Sequence, residues 1–170
     1  SNFIAHRALV KAGAAYFLDK DSKQLIQLDL ASKKFVLFDL GELTSITDFG
    51  LDEEQFLFLG DGVYARGMEA SASAKQVVSP GKANAGALSL NVFNRNLYVL
   101  SQSERNVFKY SSLPGKEEYS EPVRWVKSAK ELDFASVTSL LVDGEVWLST
   151  KVGQIFRLSA GVGSLFEMRG

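Results

Sequence analysis

The sequence predicts an all-β fold, a β-propeller built from four four-stranded antiparallel blades. Three observations predict it. Apolar residues come in short alternating runs, rich in Phe, Tyr, Val, Ile and Leu and separated by Gly, Asn, Asp or Ser, which is the period of strands joined by hairpins. One run recurs four times, its second positions 38, 44 and 48 residues apart. Each copy sits third in the same series of four runs, so the repeating unit is a four-stranded meander of about 40–45 residues, as in propeller blades. A rung-type solenoid needs shorter repeats, and a lipocalin-type barrel does not repeat.

The innermost strands are built on Ala8-Leu9-Val10, Ile46-Thr47-Asp48-Phe49, Ala87-Leu88-Ser89-Leu90 and Val137-Thr138-Ser139-Leu140. The second strands are Tyr16-Phe17-Leu18, Phe56-Leu57-Phe58, Tyr98-Val99-Leu100 and Trp147-Leu148. The recurring third runs are Leu25-Ile26-Gln27-Leu28, Val63-Tyr64-Ala65-Arg66, Val107-Phe108-Lys109-Tyr110 and Ile155-Phe156-Arg157-Leu158. The fourth are Phe35 to Phe38, Lys75 to Val78, Pro122 to Val126 and Ser164 to Met168. These place blades at 4–40, 43–79, 86–127 and 136–169 of a single domain spanning residues 1–170. Residues 69–87, rich in Ala, Ser and Gly, are expected to loop around a weak fourth strand, and Lys127 to Phe134 to hold one helical turn.

An offset of 91 carries Ser45, Thr47, Asp52, Leu57 and Gly62 onto Ser136, Thr138, Asp143, Leu148 and Gly153. The same offset carries Phe56 onto Trp147, so both are expected to be buried between neighbouring sheets. Gly62 and Gly153 are expected to supply positive φ in hairpin turns.

The stretch from Asn96-Leu97-Tyr98-Val99-Leu100 to Asn106-Val107-Phe108-Lys109-Tyr110 resembles the core of an NHL-type blade. In that family an apolar Tyr-Val strand leads through a polar turn to a strand ending Lys-Phe. The set Tyr110-Ser111, Tyr119-Ser120-Glu121-Pro122 and Trp125 is similar to propeller modules of uncharacterised bacterial proteins. The sequence departs from the usual NHL blade after the second strand, where Ser101 and Thr150 replace an Asp. The resemblance implies a binding platform, which most NHL-like propellers are, and assigns no site.

Composition excludes several functions. Lys and Arg total 19 against 20 Asp and Glu, a net charge of −1, so no counterion release drives nucleic-acid binding. No apolar run approaches the roughly 20 residues of a membrane helix, so no membrane insertion is expected within this segment. The absence of Cys excludes disulfides, thiolate catalysis and Cys-based zinc sites but fixes no compartment. Ser1-Asn2, without Met or a signal pattern, read as a processed end or tag scar, and localisation stays open.

No nucleophile elbow, zinc-protease helix or phosphate-binding loop occurs, and no catalytic residue, metal or cofactor is assigned. The lone His6 reads as a surface residue, Asp19-Lys20-Asp21-Ser22 as a polar hairpin turn, and Asp52-Glu53-Glu54 as a solvated acidic turn. Asp48 interrupts an apolar innermost strand, where side chains line a propeller's channel. With Ser45, Thr47, Ser89, Asn91, Thr138 and Ser139 it reads first as a hydrated channel, satisfied by water and backbone groups, and as the alternative the same residues are the candidate ligand-binding set of a funnel. Tyr119 and Trp125 are set apart from the other aromatics, which read as packing.

The function expected is a noncatalytic binding or scaffolding module that presents propeller faces to a protein or a small ligand. One alternative is a propeller-type enzyme, a glycan lyase or lactonase, acting through Asp48 in the central funnel. Another is a part of a larger propeller protein. The blades make either a four-bladed ring or half of an eight-bladed one. Leu9, Val10, Phe49, Leu88, Leu90, Leu140 and Leu141 are bulky for a narrow axis, and a half-ring exposes apolar end faces, so a homodimer is the expected form.

Overall fold

The computed structural model describes residues 3–84, 86–116 and 118–166. Among these, four antiparallel sheets each keep their strands in chain order. Blade 1 comprises β1 (Arg7–Lys11), β2 (Ala14–Asp19), β3 (Gln24–Asp29) and β4 (Phe35–Asp39). Blade 2 comprises β5 (Asp48–Leu51), β6 (Gln55–Leu59), β7 (Val63–Gly67) and β8 (Ala74–Val78). Blade 3 comprises β9 (Ala87–Phe93), β10 (Asn96–Ser101), β11 (Asn106–Tyr110) and β12 (Val123–Arg124). Blade 4 comprises β13 (Val137–Val142), β14 (Val146–Thr150), β15 (Ile155–Ser159) and β16 (Val162–Leu165). The first strands follow one another around an axis, β5 packing on β1 and β9 on both β5 and β13. The chain has a β-propeller fold of four consecutive blades, and no described helix is long and apolar enough to cross a membrane.

Local chemistry sets the hairpins. Ala12-Gly13, Asn94-Arg95 and Ala160-Gly161 each place two successive residues at positive φ, the two-residue turn whose twist matches that of its strands. Gly153 has φ +81 as expected, but Gly62 does not have positive φ; glycine is needed there because a Cβ would run into the Val78 carbonyl.

Alternation then sends neighbouring side chains to opposite junctions. Tyr16, Leu18, Leu25 and Phe38 of blade 1 pack on Phe49, Leu51, Phe56 and Phe58 of blade 2, with Phe38 edge-on to Phe56 at 5.1 Å. Leu57, Leu59 and Val63 meet Leu90, Leu97, Val99, Phe108 and Tyr110 of blade 3. Tyr98, Leu100 and Val107 meet Leu140, Val146, Leu148 and Phe156 of blade 4.

Trp147 departs from expectation. Phe56 is fully buried against blade 1, whereas Trp147 is half-buried on the far face of blade 4. The cause is turn length. Asp52 N donates to Gln55 O, but Asp143 N donates to Glu145 O, so Leu51 pairs with Phe56 while Val142 pairs with Val146. The offset of 91 holds up to Asp52 and Asp143 and becomes 90 in the next strand, making Trp147 the counterpart of Leu57. A slip of one residue moves a whole strand's side chains to the other face.

Smaller differences follow the same logic. The helical turn falls at Phe134–Ser136, where the Asp133 carboxylate caps it by accepting from Ala135 N at 3.0 Å. The outermost strand of blade 4 begins earlier than expected, at Val162, and the expected end of that strand at Glu167 and Met168 lies outside the described residues. The link leaving blade 3 crosses this strand: Lys127 N and Ser128 N donate to Gly161 O, Gly163 N donates to Ser128 O, and Ser128 bridges Val162 in parallel.

The two ends of the blade series are left bare among the described residues. On blade 1, Val10 is 72% and Phe35 67% exposed; on blade 4, Leu141 is 55% exposed.

Candidate functional site

The polar residues of the innermost strands do not converge. Asp48, at the head of β5, is 4% exposed. Its carboxylate accepts from Ser89 Oγ and Leu90 N, each at 2.8 Å, and from Phe49 N at 2.9 Å. Arg7 Nε lies 3.2 Å away on the other side. One side chain thereby ties β1, β5 and β9 together. Burial pushes its carboxyl above the usual carboxylate range, against the Arg7 charge and the three hydrogen bonds, which favour the ionised form.

Ser89 is therefore Asp48's partner, and the other expected residues lie elsewhere. Ser45 and Thr47 are exposed along a shallow hollow with Asp61 and Pro80, and Thr47 Oγ1 donates to Leu59 O. Asn91 is half-buried beside Lys11 and Gly50, in a hollow of the inner strands. Gly50 lets β9 approach: a Cβ there would stand 2.8 Å from Val92 Cγ2. Thr138 and Ser139 turn to their own blade, Ser139 Oγ lying 2.7 Å and Thr138 Oγ1 3.3 Å from Ser149 Oγ.

Open polar surface gathers instead between blades 2 and 3. Segments 111–116 and 118–120, joined by Ser120 N donating to Ser111 O and by the Ser112–Tyr119 bridge, lean Tyr119 onto the core of that junction. The turn after β5 brings Asp52, Glu53 and Glu54 to one wall of a cavity of about 320 Å³. Arg95, Lys116 and Glu118 complete it around Tyr119. Burial pushes the Tyr119 phenol up to about 12, with the Asp52 carboxylate adding to the effect and Arg95 opposing it.

Glu118 and Tyr119 also line an adjoining groove of about 630 Å³. There Tyr110 donates to Asn84 Oδ1 at 2.6 Å and Asn84 Nδ2 donates to Ser79 O, holding the 79–84 loop against blade 3. Burial raises the Tyr110 phenol to about 12, reinforced by Glu121. The sequence singled out the acidic turn and Tyr119 separately. Arg95 and Lys116 carried no signal, because only the packing of blade 2 on blade 3 brings their turns together.

A second cluster stands at the start of the chain. His6, Asp19 and Asp21 each bring one ligand atom within 4.8 Å of the others. Asp19 already accepts from Ile4 N, Asp21 N and Ser22 N, which holds its carboxyl down to about 2 and pins the first residues to the β2–β3 turn. The arrangement is that of a structural strap.

No family model matches the sequence, and no curated protein matches it. Solved structures do match. A streptogramin B lyase is 14% identical with a TM-score of 0.64, covering 96% of this chain and 54% of its own. Virginiamycin B lyase from Staphylococcus aureus is 11% identical with a TM-score of 0.60, covering 92% and 52%. YCF48 bound to D1 peptide is 11% identical with a TM-score of 0.53, covering 92% and 50%. The chain spans about half the length of each of these three solved structures, and what it shares with them is the propeller fold.

Proposed function

We propose that the chain is a noncatalytic binding module that holds an extended, basic segment of another protein in the groove between blades 2 and 3. The observation that carries this reading is the make-up of the groove. Four carboxylates (Asp52, Glu53, Glu54 and Glu118) face two cations (Arg95 and Lys116) around a tyrosine. The acidic excess favours lysine or arginine side chains and disfavours nucleic acid, and the aromatic ring offers them a face. The continuation past Tyr119 into the larger groove gives room for a chain rather than a single small molecule. YCF48, of the same architecture, is solved with a peptide bound. An enzymatic reading through Asp48 lacks comparable support, since that carboxylate is enclosed by Arg7, Ser89 and the backbone.

Fluorescence anisotropy with a labelled octalysine peptide tests the proposal, octaglutamate serving as control. Octalysine should bind with an affinity that falls as salt rises. Glu53→Gln with Glu54→Gln should weaken it about tenfold, the equivalent of roughly 1.4 kcal/mol. Equal affinity for both peptides, or no loss in the double variant, overturns it.

A further inference from the structure

Blades 3 and 4 carry the same three-residue arrangement on the face turned towards the following blade. In blade 3, Tyr98 of β10 stands edge-on to Trp125 at 5.9 Å, and Lys109 of β11 reaches over both rings. In blade 4, Trp147 of β14 stands edge-on to Phe166 at 5.3 Å, and Arg157 of β15 lies over the Trp147 ring. The backbone positions coincide. Lys109 pairs with Tyr98 and Arg157 with Trp147, while Trp125 N donates to Val107 O and Phe166 N to Ile155 O. In blade 3, Tyr98 and Trp125 belong to the packed junction with blade 4. In blade 4 the Trp147 ring is half-buried beside Leu141 and Phe166, which are 55% and 40% exposed.

At the other end of the series, blade 1 offers the opposite kind of face. Phe17 and Ile26 alternate with side chains that pack on blade 2, so they point away from it, as do Val10, Phe35 and Leu37. A hollow of about 350 Å³ lies on this face, lined by Phe3, Ala5, Phe17, Ile26, Leu28 and Phe35. One end of the blade series thus carries an aromatic pair and the other an apolar hollow.

We propose that a second copy of this chain supplies the missing halves: blade 4 of each copy packs on blade 1 of the other, and two copies close into one eight-bladed ring. A two-fold axis lets each chain use both faces once and leaves neither bare, whereas pairing through blade 1 alone leaves the Trp147 face open. The length agrees. These blades superpose on 54% of a streptogramin B lyase chain at a TM-score of 0.64, so two copies supply about the length of one such chain. The pairing does not depend on what the groove binds.

Light scattering after gel filtration of the 170-residue chain tests it. The expected mass is twice the 18.6 kDa of one chain. Phe35→Glu on blade 1 and Leu141→Glu on blade 4 should each halve that mass with an unchanged far-ultraviolet circular dichroism spectrum, since both side chains are exposed in the single chain. Val10→Glu, on the same face as Phe35, replaces the first variant if its strand signal is lost. A single-chain mass for the wild type at every concentration overturns the proposal. So does a Leu141→Glu chain that stays paired while Phe35→Glu dissociates, which means blade 1 meets itself, or a mass above two chains, which means the ring does not close.

Discussion

Blade 2 and blade 4 share more sequence than adjacent blades do, yet their second strands face opposite ways. Phe56 is sealed between two sheets, and Trp147, 91 residues on, looks out from the last one. Nothing in the composition of either strand dictates this. The turn before it does, because the Asp52 hairpin holds one residue more than the Asp143 hairpin. Strand residues decide that a face is apolar; turn length decides which neighbour it meets.

The comparison breaks most visibly under truncation. Phe56→Ala should cost about 3–5 kcal/mol, as large aromatic deletions in packed cores do. Trp147→Ala, made in the Leu141→Glu chain so that no partner covers it, should cost only about 1 kcal/mol. Urea unfolding midpoints measure both, and equal losses would mean that the two positions share an environment after all.

The innermost strands sharpen the contrast, because there the offset of 91 still holds. Asp48 and Ser139 are counterparts, one joining three blades and the other bonding only within its own blade. Asp48→Ala leaves the Arg7 charge without its partner and should cost about 3 kcal/mol. Ser139→Ala should stay within about 0.5 kcal/mol of wild type. Replacing both Arg7 and Asp48 by Met and Leu should cost less than Asp48→Ala alone, and a larger loss in that double variant would show that the pair is not the unit that matters.

The smallest effect is one of sign. Burial raises the Asp48 carboxyl above 3.8, so its contribution to stability is complete below that value and is lost as pH rises through the folded value. Asp143 in blade 4 is held down by the Trp147 indole N–H and the Glu145 backbone, so its contribution is present above 3.8 and is lost as pH falls through its lowered value. Against wild type, Asp48→Asn should therefore gain as pH climbs from 3.8, while the deficit of Asp143→Asn should shrink as pH drops below it. Urea midpoints across that range that move in parallel for the two variants would contradict the assignment.

The sequence carried the order of the four meanders, though not the bounds of the outermost strands of blades 3 and 4, because strand alternation and hairpin punctuation are local signals. It also marked Asp48 as unusual, a charge inside an apolar run. What it could not carry was Asp48's partnership with Ser89, 41 residues away, or with Arg7, since no spacing rule links inner strands of different blades. The groove was hidden for the same reason: Asp52, Arg95 and Lys116 sit on three turns that meet only when blade 2 packs on blade 3. Trp147 was misplaced by a difference of one turn residue, which an offset tolerates and a pleated strand does not.

The link that crosses β16 has a consequence for misassembly. By bridging Val162 in parallel, Ser128 occupies backbone groups that would otherwise invite another chain's strand, so blade 4 has a protected rim. Among the described residues the rim of blade 1 has no such cover: β4 is the last strand of its sheet, and Phe35, Val36 and Leu37 are all exposed. Lys33-Lys34 before it and Asp39 after it are the charges that stand against edge-to-edge stacking there. Neutralising them would make the outermost strand of blade 1, rather than any inter-blade core, the place where fibrous aggregation of this chain begins.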